Sequence, residues 1–352
     1  MDVLLVILIL LLLYKAKPCF IIGNTEYLSP DSSNAIKGIF IIFVFFRHIT
    51  SYLEDFEALD MHMLMLNYYM DQLIVVMFLF YSGYGVYYSI MHKEDYMKGF
   101  LKKRILKLLI EFDIIVIIYF VVGKLIGRDY SAKKLLLSLA GWSSVGNSNW
   151  YIFSILVLYG ITLISYGLFR KKKIPFVLSH VILTAVYIAI MMRLKEDFWY
   201  NTAFAYVFGI FWGCLKDKLD KALLKWYIAL PVFAFGIPVY HYSRTFSSNI
   251  VLYEVMSVAF TLLIILVTMR VRIGNPYLIF LGKNLFPLYI LQRLPMILLK
   301  EKTEVTSNHT VYMIYSAILT ILFTYGYLYL KGFIKRIQKK HISEKGHIDG
   351  TA

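Results

Sequence analysis

Apolar runs of about 17–23 residues recur along the chain, and this is the length that crosses a bilayer as an α-helix. The pattern predicts an all-α, polytopic membrane helix bundle with about eleven transmembrane helices. Segment 135–148 is too polar at its end to span the membrane, so we expect it to lie along the membrane interface or to form a re-entrant segment. The predicted spans are 3–22, 36–53, 68–91, 105–123, 149–169, 174–192, 198–215, 226–243, 249–269, 277–299 and 311–330.

The first run is the shortest of these candidates. Its uninterrupted apolar part ends at Tyr14, and Asp2 stands where a signal peptide would carry basic residues. No small-residue cleavage site follows. We therefore expect a short N-terminal membrane anchor.

Composition supports a lipid environment. Hydrophobic residues make up 59% of the 352 residues, whereas soluble domains contain about 45–50%. The net charge of +15 could suggest nucleic acid, but the basic residues lie in short clusters between apolar runs, as topology signals do. We therefore expect no nucleic-acid partner. Cys19 and Cys214 have no metal-ligand spacing, so no metal site is predicted.

The Lys and Arg residues are divided unequally between alternate connections. One set of connections contains 26 of them and the other contains 9. Because basic residues accumulate on the cytoplasmic side, the first set is predicted to be cytoplasmic. This places the tail after Leu330 inside and the acidic loop at 54–67 outside.

Charged and ionisable residues interrupt the second apolar run, "NAIKGIFIIFVFFRHITSYL". A charged side chain at the bilayer centre costs about 2.5–3.5 kcal/mol on insertion scales. His48 lies eleven residues after Lys37, about 16 Å along a helix and only about 20° around it. The two residues therefore share one stripe. His48 could be a hydrogen-bonded packing residue, or it could have a chemical role.

Several motifs occur in a fixed order along the chain. Lys37-Gly38 precedes His48 by the spacing just described, and the other segments follow it. They are "FLFYSGYGVYYSI" at 78–90, "FLKKRILKL" at 100–108, "NWYIFSILVLY" at 149–159, "AYVFGIFWGCL" at 205–215 and "LGKNLFPLYILQ" at 281–292.

This ordered set resembles the acyltransferase 3 family, whose members are integral-membrane enzymes that O-acylate sugars, polysaccharides and related surface molecules. The resemblance implies a ten-helix acyltransferase core, here preceded by the short N-terminal helix. We expect an N-terminal anchor and loop at 1–31, the membrane domain at 32–332 and a basic cytoplasmic tail at 333–352. Two residues depart from the family pattern: Lys107 replaces an Arg, and Gln292 stands where a His is frequent.

His48 is the candidate catalytic residue. Moving an acyl group from a thioester to a hydroxyl requires a base, and neutral imidazole suits this role near neutral pH. No Ser-His-Asp arrangement and no carboxylate partner for His48 are evident in the sequence. Direct transfer is therefore simpler than a covalent intermediate, although an acyl-histidine remains open.

A phosphate-bearing donor such as acetyl-CoA or another acyl-CoA would act as a substrate rather than as a permanently bound cofactor. Arg104 and Lys107 are spaced i,i+3 and could clamp its phosphates, with Lys37 contributing to donor positioning. The alternatives are that these cations are topology signals, or that Lys107 pairs with Glu111.

Five residues toward the predicted outer side are candidates for binding the acceptor, a glycan or another hydroxyl-bearing molecule. Structural roles are the alternatives: capping by Asn149, membrane anchoring by Trp150 and a buried ion pair for Arg293. The five are Arg47, Asn149, Trp150, Gln292 and Arg293.

The sequence therefore predicts a multi-pass membrane O-acyltransferase, in contact with lipids and most consistent with a bacterial inner membrane. It would transfer an acyl group, most simply acetyl, to a surface or secreted glycan of the cell envelope. A transporter or flippase of an amphiphilic substrate is the main alternative, and a sensing or anchoring module is a third. Neither alternative requires Lys37 and His48 on one stripe.

The charge asymmetry can be tested with single introduced cysteines at Glu57 and Ser343. A membrane-impermeant thiol reagent applied to intact cells should label Glu57→Cys and leave Ser343→Cys unlabelled until the membrane is opened. The reverse pattern would invert the orientation and remove Arg104 from the donor side.

Overall fold

The computed structural model describes residues 2–302 and 304–348, and the structure is 80% helical. Residues 349–352 of the predicted tail lie outside the described residues. Two short strands, β1 (Ala16–Pro18) and β2 (Val271–Ile273), pair antiparallel with Ala16 opposite Ile273. The helices are α1 Asp2–Leu13, α2 Pro30–Thr50, α3 Met61–Met70, α4 Val76–His92, α5 Lys107–Leu125, α6 Ala132–Leu139, α7 Trp150–Phe169, α8 Lys173–Leu194, α9 Phe204–Leu223, α10 Trp226–Thr245, α11 Ile250–Thr268, α12 Pro276–Lys283, α13 Leu285–Leu291, α14 Arg293–Lys302 and α15 His309–Ile348.

The protein is nearly all-α and has several helices suited to a membrane. Within the described residues, six helices are long and apolar enough to span, or seven if a pair bent by 113° counts as one span. That pair is Asp197–Leu223 with Trp226–Thr245. The fold class is therefore confirmed as a helical membrane protein, whereas the predicted count of about eleven spans is not confirmed.

Prolines explain why the run at 277–299 is not one helix. A proline inside a helix removes one backbone donor and clashes with the carbonyl four residues earlier. Pro287 stands four residues after Lys283, where α12 ends, and Pro295 stands four residues after Leu291, where α13 ends. The run is consequently divided into α12, α13 and α14.

The first apolar run also differs from expectation. The helix predicted for 3–22 ends at Leu13, because Lys15 adopts a left-handed φ of 58° and Pro18 lies in β1. The short α1 is fixed at both ends. Asp2 Oδ1 accepts from the Met63 N–H at 3.0 Å, and Asn275 Nδ2 donates to the Leu11 carbonyl at 2.6 Å.

Helices α2 and α12 touch backbone to backbone at two glycines. A Cβ atom on Gly38 would lie 2.0 Å from the Leu278 carbonyl oxygen, and one on Gly282 would lie 1.9 Å from that of Asn34. No side chain can occupy such a gap. The two glycines therefore set the distance between the two helices.

Helices α4 and α9 form a second pair of the same kind. A Cβ atom on Gly83 would lie 2.1 Å from the Tyr206 carbonyl oxygen, and one on Gly209 would lie 2.1 Å from that of Phe80. Small residues allow this close approach in membrane helices. Gly83 and Gly209 therefore serve helix packing.

The connection that precedes α2 is bound to α9. Tyr27 is fully buried, donates from its hydroxyl to Asp220 Oδ1 at 2.6 Å and accepts from Trp212 Nε1 at 2.9 Å. Burial, followed by the neighbouring Asp220 carboxylate, raises the pKa of Tyr27, so the hydroxyl remains a donor. This contact closes one wall of the cavity described below.

We expect Gly83→Ala to lower the thermal stability of the detergent-solubilised protein, because the new methyl group meets backbone and overpacking typically costs about 1–3 kcal/mol. Gly85→Ala on the same helix is the matched control, since a Cβ atom there meets nothing within 4 Å. A melting temperature that falls equally in both variants would contradict the close-contact explanation.

Candidate functional site

A cavity of about 1070 Å³ opens between α2, α4, α9 and the π-helical turn Leu101–Leu106. Ligand pockets usually measure about 300–1,000 Å³, so the space suits a large ligand. We call it the Lys37 cavity. Its walls come from connections predicted to be cytoplasmic and from the adjoining ends of predicted spans. They include Glu26, Ser33, Asn34, Lys37, Tyr81, Tyr84, Tyr88, His92, Lys93, Arg104, Lys173, Lys216 and Asp217.

Lys37 and Arg104 come together in this cavity from separate helices. They lie close enough for their charges to repel one another. Arg104 donates from Nε to the Tyr96 hydroxyl at 3.1 Å and lies near the Tyr159 hydroxyl, which bonds Ser82 Oγ at 2.7 Å. Two mutually repelling cations facing one space are typical of a site that binds an anion.

Lys107 does not join Arg104 in the cavity. It is exposed and absent from the lining, contrary to the expectation that an i,i+3 pair would face one ligand. The physical reason is the π-helical turn, in which the Lys107 N–H donates to the Lys102 carbonyl five residues earlier and changes the rotation between side chains. Glu111 pairs with Lys331 at 2.7 Å rather than with Lys107.

The charge of the Lys37 cavity is positive. Among the described residues, Lys37, Lys93 and Lys173 form no ion pair. The acidic lining is largely compensated, since Glu26 pairs with Arg272 at 2.9 Å. Asp217 remains as the other carboxylate of the lining. A ligand with several negative charges therefore suits this space better than a neutral one.

Aromatic rings line one face of α4 in the same cavity. The Tyr88 and His92 rings stack with centroids 4.2 Å apart and planes at 19°, and Tyr84 follows at 6.1 Å from Tyr88. Tyr88 is 45% exposed. Exposed aromatic faces are the surfaces on which nucleic-acid bases stack. The sequence shows the spacing i, i+4, i+8 of these residues, but periodicity alone does not indicate that the rings face a cavity.

His48 lies at the other end of α2, half-buried among aromatic and cationic groups. Its ring centroid is 6.2 Å from that of Tyr289. Within the described part of the chain, His48 Nδ1 is buried and has no hydrogen-bond partner. Buried polar atoms are normally paired. An imidazole nitrogen without a partner is available to a ligand, so we take His48 as the centre of the candidate site.

An aromatic column fills the interval between Lys37 and His48. Phe40 contacts Phe78 at 6.5 Å, Phe78 contacts Tyr151 at 6.0 Å, and Tyr151 contacts Tyr289 at 5.4 Å between ring centroids. All four rings are buried, and Tyr289 then faces His48. A ligand that reaches from the Lys37 cavity to His48 must pass these side chains.

Arg293 lies beside His48 and is partly engaged in structure. Its Nε donates to the Tyr52 hydroxyl at 2.8 Å, and its guanidinium stands 5.5 Å over the Tyr52 ring. Its charge reaches His48 and Tyr289. The residue begins α14 rather than standing inside one long helix. Both earlier interpretations, structural pairing and substrate contact, agree with this position.

Asn149, Trp150 and Gln292 are less directly placed. Asn149 is buried and donates from Nδ2 to the Gly141 carbonyl at 2.9 Å, and Trp150 packs on Phe198 at 6.0 Å. Gln292 is 1% exposed and donates to the Tyr289 carbonyl at 3.1 Å. These contacts are structural, and acceptor binding by the three residues stays a prediction.

Arg47 lines a second space, of about 510 Å³, on the side predicted to be external. We call it the Arg47 cavity. Tyr68, Asp71 and Arg244 also line it, and none of the three was singled out from the sequence. Tyr68 and Asp71 lie at the end of α3, and Arg244 comes from α10, which meets α3 only in the fold. A search of the described residues finds no group of three His, Cys, Asp or Glu side chains able to hold a metal ion.

Comparison with known proteins gives one family. A family model described as an acyltransferase domain matches residues 31–330. No curated protein and no solved structure matches the chain. The matched range begins at the start of α2 and continues into α15, so it contains His48, the Arg47 cavity and most of the lining of the Lys37 cavity.

Proposed function

Because this chain belongs to the acyltransferase 3 family and is a membrane acyltransferase, we propose that it moves an acetyl group from acetyl-CoA to a hydroxyl of a cell-envelope glycan. One observation carries the proposal beyond the family. A cationic cavity and a histidine with an unpaired nitrogen lie at opposite ends of one helix. Such an arrangement suits a donor that enters from one side of the membrane and an acceptor that enters from the other.

The Lys37 cavity has the features that a coenzyme A donor requires. Its unpaired lysines and Arg104 offer charge-assisted bonds to phosphate, with Arg able to present two parallel donors. The stacked rings of Tyr88 and His92 offer a surface for the adenine base. With the nucleotide held there, the thioester arm points along the aromatic column toward His48.

His48 would act as the general base. The acceptor oxygen attacks the thioester carbonyl carbon while its proton passes to the imidazole, and the carbon–sulfur bond breaks. The departing thiolate then takes up the proton, which leaves an O-acetyl ester and free coenzyme A. Within the described residues no carboxylate pairs with His48, so the ring can move to meet either substrate.

The buried aromatic column implies a conformational step. Phe78 and Tyr151 are packed between the cavity and His48. Close-packed side chains leave no path for a thioester arm, so these rings would have to rotate when the donor binds. The packed rings would also protect the thioester from hydrolysis, because the acyl group could reach His48 only after the rings had rotated.

We expect Arg104→Ala to weaken acetyl-CoA binding by about 10- to 150-fold, the range for the loss of a hydrogen bond to a charged group. Lys37→Ala should act in the same direction. Lys107→Ala is the matched control, because Lys107 is a nearby cation outside the cavity. Calorimetric titration of the purified protein with a non-hydrolysable acetyl-CoA analogue measures all three.

If Arg104→Ala and Lys107→Ala weaken acetyl-CoA binding equally, both residues contact the donor as an i,i+3 pair. That result would contradict the placement of the donor site in the Lys37 cavity, which Lys107 does not line. Unchanged binding in folded Arg104→Ala would reduce Arg104 to a topology signal.

His48→Gln should lower the rate of acetyl transfer by about 10²–10⁴-fold, the usual contribution of general acid–base catalysis. Glutamine keeps a hydrogen bond but cannot accept and release a proton. The wild-type rate should fall as the pH is lowered and the ring becomes protonated, and the variant should lose this dependence. Transfer of labelled acetyl groups from acetyl-CoA, measured against pH, gives both results.

His180→Gln is the matched control for a buried histidine. His180 is held by Thr162 Oγ1 at 3.1 Å and the Phe176 carbonyl at 2.8 Å, so its replacement should affect stability and leave the pH profile unchanged. A His48→Gln variant with more than about a tenth of the wild-type rate would remove His48 from the chemistry.

A further inference from the structure

The Arg47 cavity is a preformed polar space in the outer part of the helix bundle. It measures about 510 Å³ and lies where α3 ends, against α2 and α10. His48 does not line this cavity, but the charge of the lining residue Arg47 reaches the His48 ring, so the cavity lies near the candidate site. Its ligand would therefore present atoms close to His48 from the side opposite to the donor.

Interactions from two other helices fix the far wall of this cavity. The Arg244 guanidinium donates to the Tyr68 carbonyl and lies 4.9 Å over the Tyr68 ring. The Tyr253 hydroxyl donates to Asp71 Oδ2 at 2.8 Å, and Asp71 adopts an unusual φ of 39°. Strained backbone held by several contacts is common at binding sites. The wall is therefore built before any ligand arrives.

Charge in the cavity is not balanced by the protein. Asp71 is hydrogen-bonded by Tyr253, and Arg244 is engaged by Tyr68, as just described. Arg47 is exposed and has no ion pair among the described residues. In the nearby acidic loop Glu54 pairs with Lys300 at 3.4 Å, and Asp55 and Glu57, which flank the lining residue Phe56, form no ion pair with Arg47 among the described residues. A bound acid group would supply the missing negative charge.

The remaining lining fits a sugar ring. Asn67 donates from Nδ2 to Thr50 Oγ1 at 3.1 Å, which holds a row of polar groups in place beside Asp71. Carboxylate, amide and hydroxyl groups pair with ring hydroxyls. Tyr68 is 70% exposed and presents an aromatic face at the same opening.

An acid group at Arg47 would also help the chemistry. A proton taken by His48 places a positive charge between Arg47 and Arg293, both of which reach the ring electrostatically. Opposite charge supplied by the acceptor would offset this repulsion as the proton moves. A neutral acceptor would leave it uncompensated.

From this arrangement we infer that the Arg47 cavity binds an acidic glycan, with a carboxylate or phosphodiester at Arg47 and the sugar ring between Tyr68 and Asp71. The inference rests on the proposed function, because it specifies the class of acceptor for the same reaction. The acid group is then the feature by which the enzyme selects its acceptors over neutral polysaccharides.

The test uses the full chain in nanodiscs, where both faces are accessible, and three fluorescent oligosaccharides of equal length. Oligogalacturonate carries carboxylates, a glycerol-phosphate oligomer bearing glucose carries phosphodiesters, and a malto-oligosaccharide is neutral. Fluorescence anisotropy gives the dissociation constants. At least one acidic probe should bind more tightly than the neutral probe by about 10- to 150-fold, which is the contribution of one hydrogen bond to a charged group.

Arg47→Gln should remove this preference and Arg47→Lys should retain part of it. Arg193→Gln is the matched control, since Arg193 is an exposed arginine on the same predicted side outside the cavity. The preferred probe identifies the acid group as carboxylate or phosphodiester. Equal binding of all three probes, absent binding of both acidic probes, or an unchanged preference in Arg47→Gln would each overturn the inference.

Acetyl-CoA turnover by the same samples separates this inference from the proposed function. Turnover together with no preference for acidic probes would contradict the inference alone. A preference that depends on Arg47, together with no turnover, would contradict the proposed transfer and leave the acidic-glycan site in place.

Discussion

Backbone contact at four glycines fixes the positions of the helices that surround the candidate site. Gly38 and Gly282 join α2 to α12, and Gly83 and Gly209 join α4 to α9, each with less room than a methyl group needs. The hydrophobic effect contributes little to the association of helices within lipid, so close packing must supply much of the free energy of association. Since α2, α4 and α9 also form walls of the Lys37 cavity, the same contacts that stabilise the bundle set the width of this space.

Helix α2 relates the two halves of the candidate site to each other. Its 21 residues form one uninterrupted element, with Lys37 facing one cavity toward its start and Arg47 facing another toward its end, where His48 is the next residue. A continuous helix keeps such residues at a fixed separation, about 1.5 Å for each residue between them. The broken helices α12, α13 and α14 pack alongside and contribute Tyr289 and Arg293, which a straight helix would have placed at a different rotation.

The helical membrane fold class could be predicted from the sequence because the length of an apolar run is a local property. His48 and Lys37 could be singled out because their chemistry conflicts with a lipid environment, and their roles stay predictions. The position of Lys107 could not be predicted, because one π-helical turn changed a rotation that spacing alone assumes regular. Tyr289 and Arg244 were missed for a different reason. Their significance depends on which helices meet, and single-sequence periodicity does not contain that information.

The pairing of β1 with β2 has a consequence for biosynthesis. Ala16 lies opposite Ile273, and the Leu11 carbonyl is held by Asn275, so the first helix and strand are secured by residues made more than 250 positions later. Contacts of such long sequence separation form late, because the chain between them must first be ordered. The segment that contains α1 and β1, although synthesised well before these partners, therefore reaches its final place near the end of assembly.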